Sequence, residues 1–231
     1  VTADGKGQAA GIGGANGASG GTINITGGNV TVAKGGGNLS VLYYTVTLKN
    51  CYIEGGSAGN GGNLVCSTGC NVTATDTMIL NGKTSGKGGN INVSTTNAYL
   101  TLCNTFLACG SGNIGGNLNA GAGYITIRGG ETVFGNSTAT AGNICANAGN
   151  SSATTAQRPR IEADDKGNIP LIAGGYAKTY GGNFYISGVL YLDAAKIQSG
   201  SAGNSGQDIC LYKPTNQGKL EVGSDVTGSF S

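Results

Sequence analysis

The triplet Gly-Gly-Asn returns along the chain at a nearly constant interval, and this repeat limits the possible folds more than any other feature. The marker positions, which include one Ala-Gly-Asn and one Gly-Gln-Asp variant, are Asn38, Asn63, Asn90, Asn117, Asn143, Asn183 and Asp208. Successive markers lie 25 to 27 residues apart, except for one step of 40 residues after Asn143. A fixed period of this length is typical of solenoids and other repeat architectures. One further Gly-Gly-Asn, which ends at Asn29, lies off the period.

Two apolar columns follow the markers. The residues directly after them are Leu39, Leu64, Ile91, Leu118, Ile144, Phe184 and Ile209. The residues two positions further on are Val41, Cys66, Val93, Ala120, Ala146, Ile186 and Leu211. The residues between these columns are mixed in polarity, so the pattern has the period of two that is expected for a strand with one buried face.

Each repeat contains two more segments that are typical of strands. One is rich in Thr and aliphatic residues, as in Thr45 to Leu48, and the other contains a third apolar column at Ile53, Leu80, Leu107 and Val133. Three short strands leave no room for a helix in each repeat, so leucine-rich, ankyrin and tetratricopeptide arrays fit poorly. The sequence therefore predicts an all-β fold, a right-handed parallel β-helix (β-solenoid) with about seven to eight coils of 25–27 residues stacked about 4.8 Å apart.

Glycine and asparagine have clear places in such a coil. Glycine makes up 46 of the 231 residues, about three times the usual share, and we expect it at corners that need a positive φ or a close backbone approach. Stacked marker asparagines would hydrogen-bond along the column as a structural ladder. The alternative is that these asparagines favour the turn and point to solvent.

The chain is predicted to be a single β-helix domain over residues 1–231, because a solenoid grows without the size limit of one globular core. We expect an N-terminal coil region at 1–37, regular coils at 38–150, an inserted loop at 151–173 and C-terminal coils at 174–231. The loop accounts for the long step between two markers, and it contains two of the three prolines.

These features resemble the right-handed parallel β-helix repeats of secreted and cell-surface microbial proteins of the adhesin-like type. The resemblance rests on Gly-Gly-Asn followed by an apolar strand, on the N-terminal Gly-Ile-Gly-Gly and Gly-Gly-Thr-Ile-Asn-Ile-Thr-Gly-Gly, and on the closing Gly-Lys-Leu-Glu-Val-Gly-Ser-Asp-Val-Thr-Gly-Ser-Phe. It covers most of the chain. It implies the fold and an extracellular or cell-surface location, and it implies no particular activity.

Composition narrows the range of activities. The chain has no His, which excludes histidine-dependent catalysis. A net charge of +2 with 10% charged residues does not provide the basic surface of a nucleic-acid-binding protein. No apolar run is long enough to span a membrane. We expect no cofactor and no metal site.

One short segment concentrates charge. Glu162, Asp164 and Asp165 lie beside Arg158, Arg160 and Lys166. Clustered carboxylates could serve polysaccharide cleavage or calcium binding. We favour a solvated charged loop, because the opposite charges balance one another.

Cysteine, sequon and threonine patterns suggest further sites. Among seven cysteines, Cys66 with Cys70 and Cys103 with Cys109 are candidate local disulfides, with reduced core packing as the alternative. Asn71, Asn136 and Asn150 are candidate glycosylation sites, whereas Asn38 would be a poor acceptor inside the ladder. An outward threonine array that could order water is suggested by Thr47, Thr73, Thr75, Thr101 and Thr126.

The sequence is interpreted as an extracellular structural protein rather than an enzyme. A β-helix exposes unpaired strand edges at both ends, and no capping helix is recognisable in the sequence. Two explanations are open: the chain is a segment of a longer solenoid, or its ends stack on identical subunits. Head-to-tail stacking makes a contact that does not close, so a stiff rod would extend into a filament or surface layer. The alternative is a cell-surface adhesin or carbohydrate-binding module that binds glycans through the loop from Arg158 to Lys166. A polysaccharide-active enzyme and an ice-binding protein are less favoured.

Overall fold

Strands that occupy the same place in successive coils pair in parallel, each residue directly above its equivalent. The computed structural model describes residues 12–13, 22–31, 37–147, 159–212 and 219–228, and these residues contain strands and no helix. The strands stack into a parallel β-solenoid of about seven turns. The prediction of an all-β parallel solenoid is confirmed.

Sheet 1 contains the strand that follows each marker. Its eight strands, in spatial order, are β1 (Ile12–Gly13), β3 (Leu39–Val41), β6 (Leu64–Cys66), β10 (Ile91–Val93), β14 (Leu118–Ala120), β18 (Ile144–Ala146), β22 (Phe184–Ile186) and β25 (Ile209–Leu211). The two predicted apolar columns lie in register here, with Leu39 above Leu64 and Val41 above Cys66. Both columns are buried in the core from β3 to β22, whereas in β25 Ile209 is partly buried and Leu211 is 49% exposed.

Sheet 2 has twelve strands in two arms. The ten-residue strands β2 (Thr22–Thr31), β4 (Thr45–Glu54), β23 (Val189–Gln198) and β26 (Lys219–Gly228) extend over both arms. In the other coils a corner separates the two arms. The strands of the first arm are β7 (Asn71–Thr75), β11 (Tyr99–Cys103), β15 (Tyr124–Arg128) and β19 (Arg160–Glu162). The strands of the second arm are β8 (Met78–Leu80), β12 (Phe106–Ala108), β16 (Glu131–Val133) and β20 (Leu171–Ala173). Val46 and Leu48 face the core while Thr45 and Thr47 face outward, which is the alternation that the sequence predicted.

Sheet 3 closes the coil with short strands. These are β5 (Ser57–Ala58), β9 (Lys83–Thr84), β13 (Ser111–Ile114), β17 (Asn136–Thr140), β21 (Tyr176–Ala177) and β24 (Ser201–Ala202). Alternate residues of the sheet point inward, as the buried Thr84, Ser137 and Ala177 show. The chain then turns back into sheet 1 through the marker triplet.

The two glycines of the marker triplet meet different requirements. The first has a left-handed backbone, with φ of 59° at Gly61 and 67° at Gly88, a region that glycine enters at low steric cost. The second has no room for a side chain, because a Cβ at Gly89 would overlap the carbonyl oxygen of Gly116 in the next coil. Substituting either glycine would therefore disturb the corner.

Other corners use the same left-handed backbone with different residues. The corner at the end of the second arm has φ between 54° and 63° in five successive coils, where its residue is Asn81, Cys109, Phe134, Gly174 or Ser199. Phe134 is unusual among them, because bulky residues rarely adopt positive φ. Its ring is 62% exposed and lies over Gly174 of the next coil.

The 40-residue step from Asn143 to Asn183 has its extra residues in two places, one before strand β19 and one after it. Residues 148–158, outside the described residues, precede β19. Arg128 pairs with Glu162 and Glu131 pairs with Leu171, so residues 163–170 occupy the place that Gly129 and Gly130 fill one coil earlier. The segment 151–173, predicted as one inserted loop, therefore includes strands β19 and β20 of the regular coil.

The predicted third apolar column was wrong in register at two of its four residues, Leu80 and Val133. Ile53 stacks with Ile79 and Leu107, whereas Leu80 and Val133 stack with Ala108 one residue later. The predicted third column therefore merged two neighbouring columns. The residues that face the core in this arm are Ile53, Ile79, Leu107, Thr132 and Ile172, all of them buried.

The off-period Gly-Gly-Asn that ends at Asn29 belongs to the long strand β2. Asn29 lies within strand β2, in register with Tyr52, and so outside the marker column. Gly27 and Gly28 before it have φ of 68° and 92° at the bend between the two arms. The glycines thus serve the bend of a long strand.

Candidate functional site

The marker side chains form one continuous hydrogen-bonded column inside the solenoid. Each Asn Nδ2 donates to the Oδ1 of the next marker, at 2.6 to 2.8 Å, in the order Asn38, Asn63, Asn90, Asn117, Asn143, Asn183 and Asp208. All seven residues are at most 1% exposed. The markers are therefore arranged as an asparagine ladder, and the alternative of solvent-facing turn residues does not apply.

Each inner rung of the ladder also holds the main chain. At Asn90, Nδ2 donates to the carbonyl oxygen of Ala108 at 2.8 Å, and Oδ1 accepts from the Gly82 N–H at 2.7 Å. With its two ladder bonds, this amide uses both donor hydrogens and two acceptor positions. The same four-bond pattern recurs at Asn63, Asn117 and Asn143.

The ladder ends differ from its inner rungs. The Oδ1 atom of Asn38 is buried and has no hydrogen-bond partner among the described residues. At the other end, Asp208 Oδ1 accepts from Asn183 Nδ2 and from the Gly200 N–H, at 2.6 and 2.7 Å. Its Oδ2 is buried and likewise has no partner in the described part of the chain. A carboxylate can only accept hydrogen bonds, so Asp208 ends the series of amide donors.

A second, shorter amide column lies on the outer side of sheet 1. Asn119 Nδ2 donates to Asn92 Oδ1 at 2.8 Å, and the two residues are 1% and 5% exposed. They occupy the middle positions of β14 and β10, between the two apolar columns. The sequence signal for this pair was the presence of Asn in equivalent middle positions of two adjacent repeats.

The charged segment is largely neutralised by its own contacts. Arg128 Nε lies 2.6 Å from Glu162 Oε1, and Arg160 Nε lies 3.5 Å from the other oxygen of the same carboxylate. The Arg160 guanidinium also lies over the ring of Tyr191, 4.6 Å from its centroid. Arg158, the other predicted arginine of this loop, is outside the described residues.

Asp164 organises the turn that follows β19. Its carboxylate accepts hydrogen bonds from the Lys166 N–H and the Asn168 N–H, at 2.9 and 2.8 Å, and from Asn168 Nδ2 at 2.7 Å. The hydrogen bonds from Asn168 lower the pKa of this carboxyl group. Asp164 is thus committed to the local turn, which matches the solvated-loop interpretation of this segment.

Four of the five predicted threonines share one outward column. Thr47, Thr73, Thr101 and Thr126 lie in register on the first arm of sheet 2. Thr75 belongs to the neighbouring column, with Lys49 and Cys103, and the column on the other side contains Tyr99 stacked on Tyr124 at 4.4 Å. The first arm therefore presents a single threonine file between mixed side chains.

All seven cysteines are free thiols in the structure, so neither candidate disulfide is formed. Cys66 and Cys70 are both fully buried, and their thiols interact with each other. Their mutual hydrogen bond, together with burial, raises the pKa of the Cys66 thiol. Cys103 is half-buried at the end of β11, and Cys109 is exposed at a left-handed corner.

The candidate glycosylation sites lie at exposed positions where they are described. Asn71 and Asn136 are both exposed, at the starts of β7 and β17. Asn150 lies outside the described residues. Asn38 is buried as a ladder rung, which agrees with the expectation that it is a poor acceptor.

No group of three or more Cys, Asp or Glu side chains in the described residues could hold a metal ion. The same residues include no helix that is long and apolar enough to cross a membrane. No family model, curated protein or solved structure matches the chain.

Proposed function

We propose that the protein is an extracellular structural rod that assembles head to tail. The observation that carries this proposal is the exposed apolar column on β26, the outermost described strand of sheet 2 on that side. Val222 lies directly above the buried Leu192 in the column that faces the core, yet its side chain is 57% exposed. A core residue exposed in this way provides an apolar surface that another coil would cover.

The opposite end has matching features. Ile23 and Ile25 of β2 lie in register with the buried Val46 and Leu48, and they are only partly buried against the core. Strand β2 is ten residues long, like β26, and among the described strands β2 pairs with β4 alone while β26 pairs with β23 alone. Two unpaired strand edges of equal length favour parallel pairing between copies.

The interior supports a stiff rod. Each inner ladder amide fixes two coils to each other and to the main chain at once, and apolar stacks fill the remaining core. Successive coils are thereby locked in register. A rod of this kind gains length by adding copies, because a head-to-tail contact does not close on itself.

Edge variants test the assembly. Val222→Lys places a charge in the exposed core column at one end, and Ile25→Lys does so at the other. The matched controls are Thr227→Lys, in register with the exposed Lys196 of the same strand pair, and Asn24→Lys, in register with Thr47.

Electron microscopy and sedimentation velocity provide the measurements. We expect filaments from the unaltered protein and from both controls, and shorter particles or monomers from both core-column variants. Monodisperse monomers of the unaltered protein at high concentration would contradict the proposal. Filaments that tolerate both core-column lysines would also contradict it.

A further inference from the structure

A groove of about 460 Å³ lies on the outside of the solenoid, where sheet 3 turns into sheet 1. Ile114 and Thr140 line it from the ends of β13 and β17 in sheet 3, and Tyr185 lines it from β22 in sheet 1. A volume in this range is typical of sites that hold small molecules.

Two tyrosines form one wall of the groove. The rings of Tyr185 and Tyr212 lie 5.4 Å apart at an angle of 30°, and Tyr212 is 43% exposed. Tyr185 occupies the outward middle position of its strand, between Cys145 and Cys210 of the neighbouring coils. The groove is therefore lined by an exposed aromatic ring that packs against a second tyrosine ring.

The polar groups of the groove are held in fixed positions. Asn147 Oδ1 accepts hydrogen bonds from Cys145 Sγ and from Ser187 Oγ. The Asn147 amide also carries an Nδ2 group, whose hydrogens make it a hydrogen-bond donor in the groove lining. Burial raises the pKa of the Tyr185 hydroxyl, which keeps that group protonated as a second donor.

The lining contains no charged side chain. A ligand that matches it must be uncharged, must have an apolar face for the tyrosine ring, and must carry several hydroxyl groups for the amide and hydroxyls of the groove. A pyranose ring combines these properties, because its C–H groups lie on its faces and its hydroxyls on its rim. An anionic polymer would find no cation among the lining residues, and an aromatic peptide side chain would leave most of the polar groups unused.

We propose that this groove binds an uncharged saccharide, stacked on Tyr212 and hydrogen-bonded by Asn147, Ser187 and Tyr185. The site goes beyond the structural role, and it does not depend on head-to-tail assembly. It also differs in place from the charged loop, in which Arg160 and Glu162 already pair with each other.

Affinity electrophoresis tests the site with three neutral probes, a soluble β-glucan, a galactomannan and an arabinoxylan, and with a sulfated polysaccharide as the anionic control. We expect at least one neutral probe to retard the protein, and the sulfated one to leave its mobility unchanged. Tyrosine fluorescence gives an independent readout, because the chain has ten Tyr and no Trp.

Variants locate the binding. We expect Tyr212→Ala to weaken it at least tenfold and Tyr212→Phe to keep most of it, since the ring that stacks remains. The control is Tyr99→Ala, because Tyr99 is also exposed and stacked on another tyrosine but belongs to sheet 2. Circular dichroism verifies the fold of each variant.

Three results would overturn the proposal. They are the absence of retardation by every neutral probe, retardation by the sulfated probe alone, and unchanged binding by Tyr212→Ala. The Val222→Lys variant is measured in parallel, and we expect it to bind as the unaltered protein does. Binding by this variant without filaments separates the groove from the assembly.

Discussion

Truncating one inner rung of the asparagine ladder should destabilise the solenoid far more than truncating an exposed asparagine. Asn117→Ala removes four hydrogen bonds, to Asn90, Asn143, the Gly110 N–H and the Val133 carbonyl. The Gly110 N–H is left as a buried donor without a partner. The Val133 carbonyl keeps a second bond, from the Cys109 N–H.

The size of the effect follows from these four bonds. An orphaned buried donor costs about 1–3 kcal/mol, and each of the other three lost bonds costs about 0.5–1.5 kcal/mol. We therefore expect Asn117→Ala to lower the free energy of unfolding by about 5 kcal/mol. Asn38→Ala removes only the bonds to the Glu54 carbonyl and Asn63 Oδ1, so we expect about 2 kcal/mol at this end of the ladder.

Guanidinium titrations followed by far-UV circular dichroism measure these differences. Asn71→Ala is the control, because Asn71 is exposed on a strand and should cost less than about 0.5 kcal/mol. Amide hydrogen exchange gives a local check, since Gly110 should lose protection in Asn117→Ala. Equal costs for the inner and terminal rungs would refute the reasoning, because the number of bonds would then not set the stability.

Three further predictions follow from the packing. Gly89→Ala should prevent or severely weaken folding because its Cβ would overlap the next coil, whereas Gly59→Ala, which has nothing within 4 Å, should be tolerated; thermal unfolding compares the two. Burial raises the pKa of the Cys145 thiol from 9.0 to about 12, so the folded protein keeps a proton that the unfolded chain releases. Stability should therefore fall from about pH 9 upward, by as much as about 1.4 kcal/mol per pH unit from this thiol, and Cys145→Ala should flatten the slope in urea titrations at several pH values. Folded protein secreted from a glycosylating host should carry glycan at the exposed Asn71 and none at the buried Asn92, as peptide mapping by mass spectrometry would show.

The sequence predicted the features that repeat and missed those that depend on a single coil. Marker spacing was enough to place Asn90 above Asn63, because identical residues at a constant interval must stack in a solenoid. The register of the second arm was wrong at Leu80, because the number of residues between the corner and the next marker varies from coil to coil. Counting back from the marker therefore shifted that column by one residue.

Features that depart from the repeat could not be predicted from the sequence, because they depend on contacts between different coils. Nothing in the repeat indicates that Phe134 occupies a left-handed corner, since backbone conformation there is imposed by the coils on either side. The groove at Tyr185 and Tyr212 is formed by residues of several coils, and neither tyrosine belongs to a repeated column of tyrosines. The division of the long step into two insertions likewise depended on the pairing of Glu162 with Arg128.

The ladder gives the solenoid a net dipole along its axis. Every rung points its Nδ2 toward the C-terminal coils and its Oδ1 toward the N-terminal ones, so the amide dipoles add along the axis as peptide dipoles do in a helix. The positive end of this array meets the carboxylate of Asp208, where an anion is stabilised most. The negative end is the Oδ1 of Asn38, which has no hydrogen-bond partner among the described residues. Copies joined head to tail would align these dipoles, and copies joined head to head would oppose them.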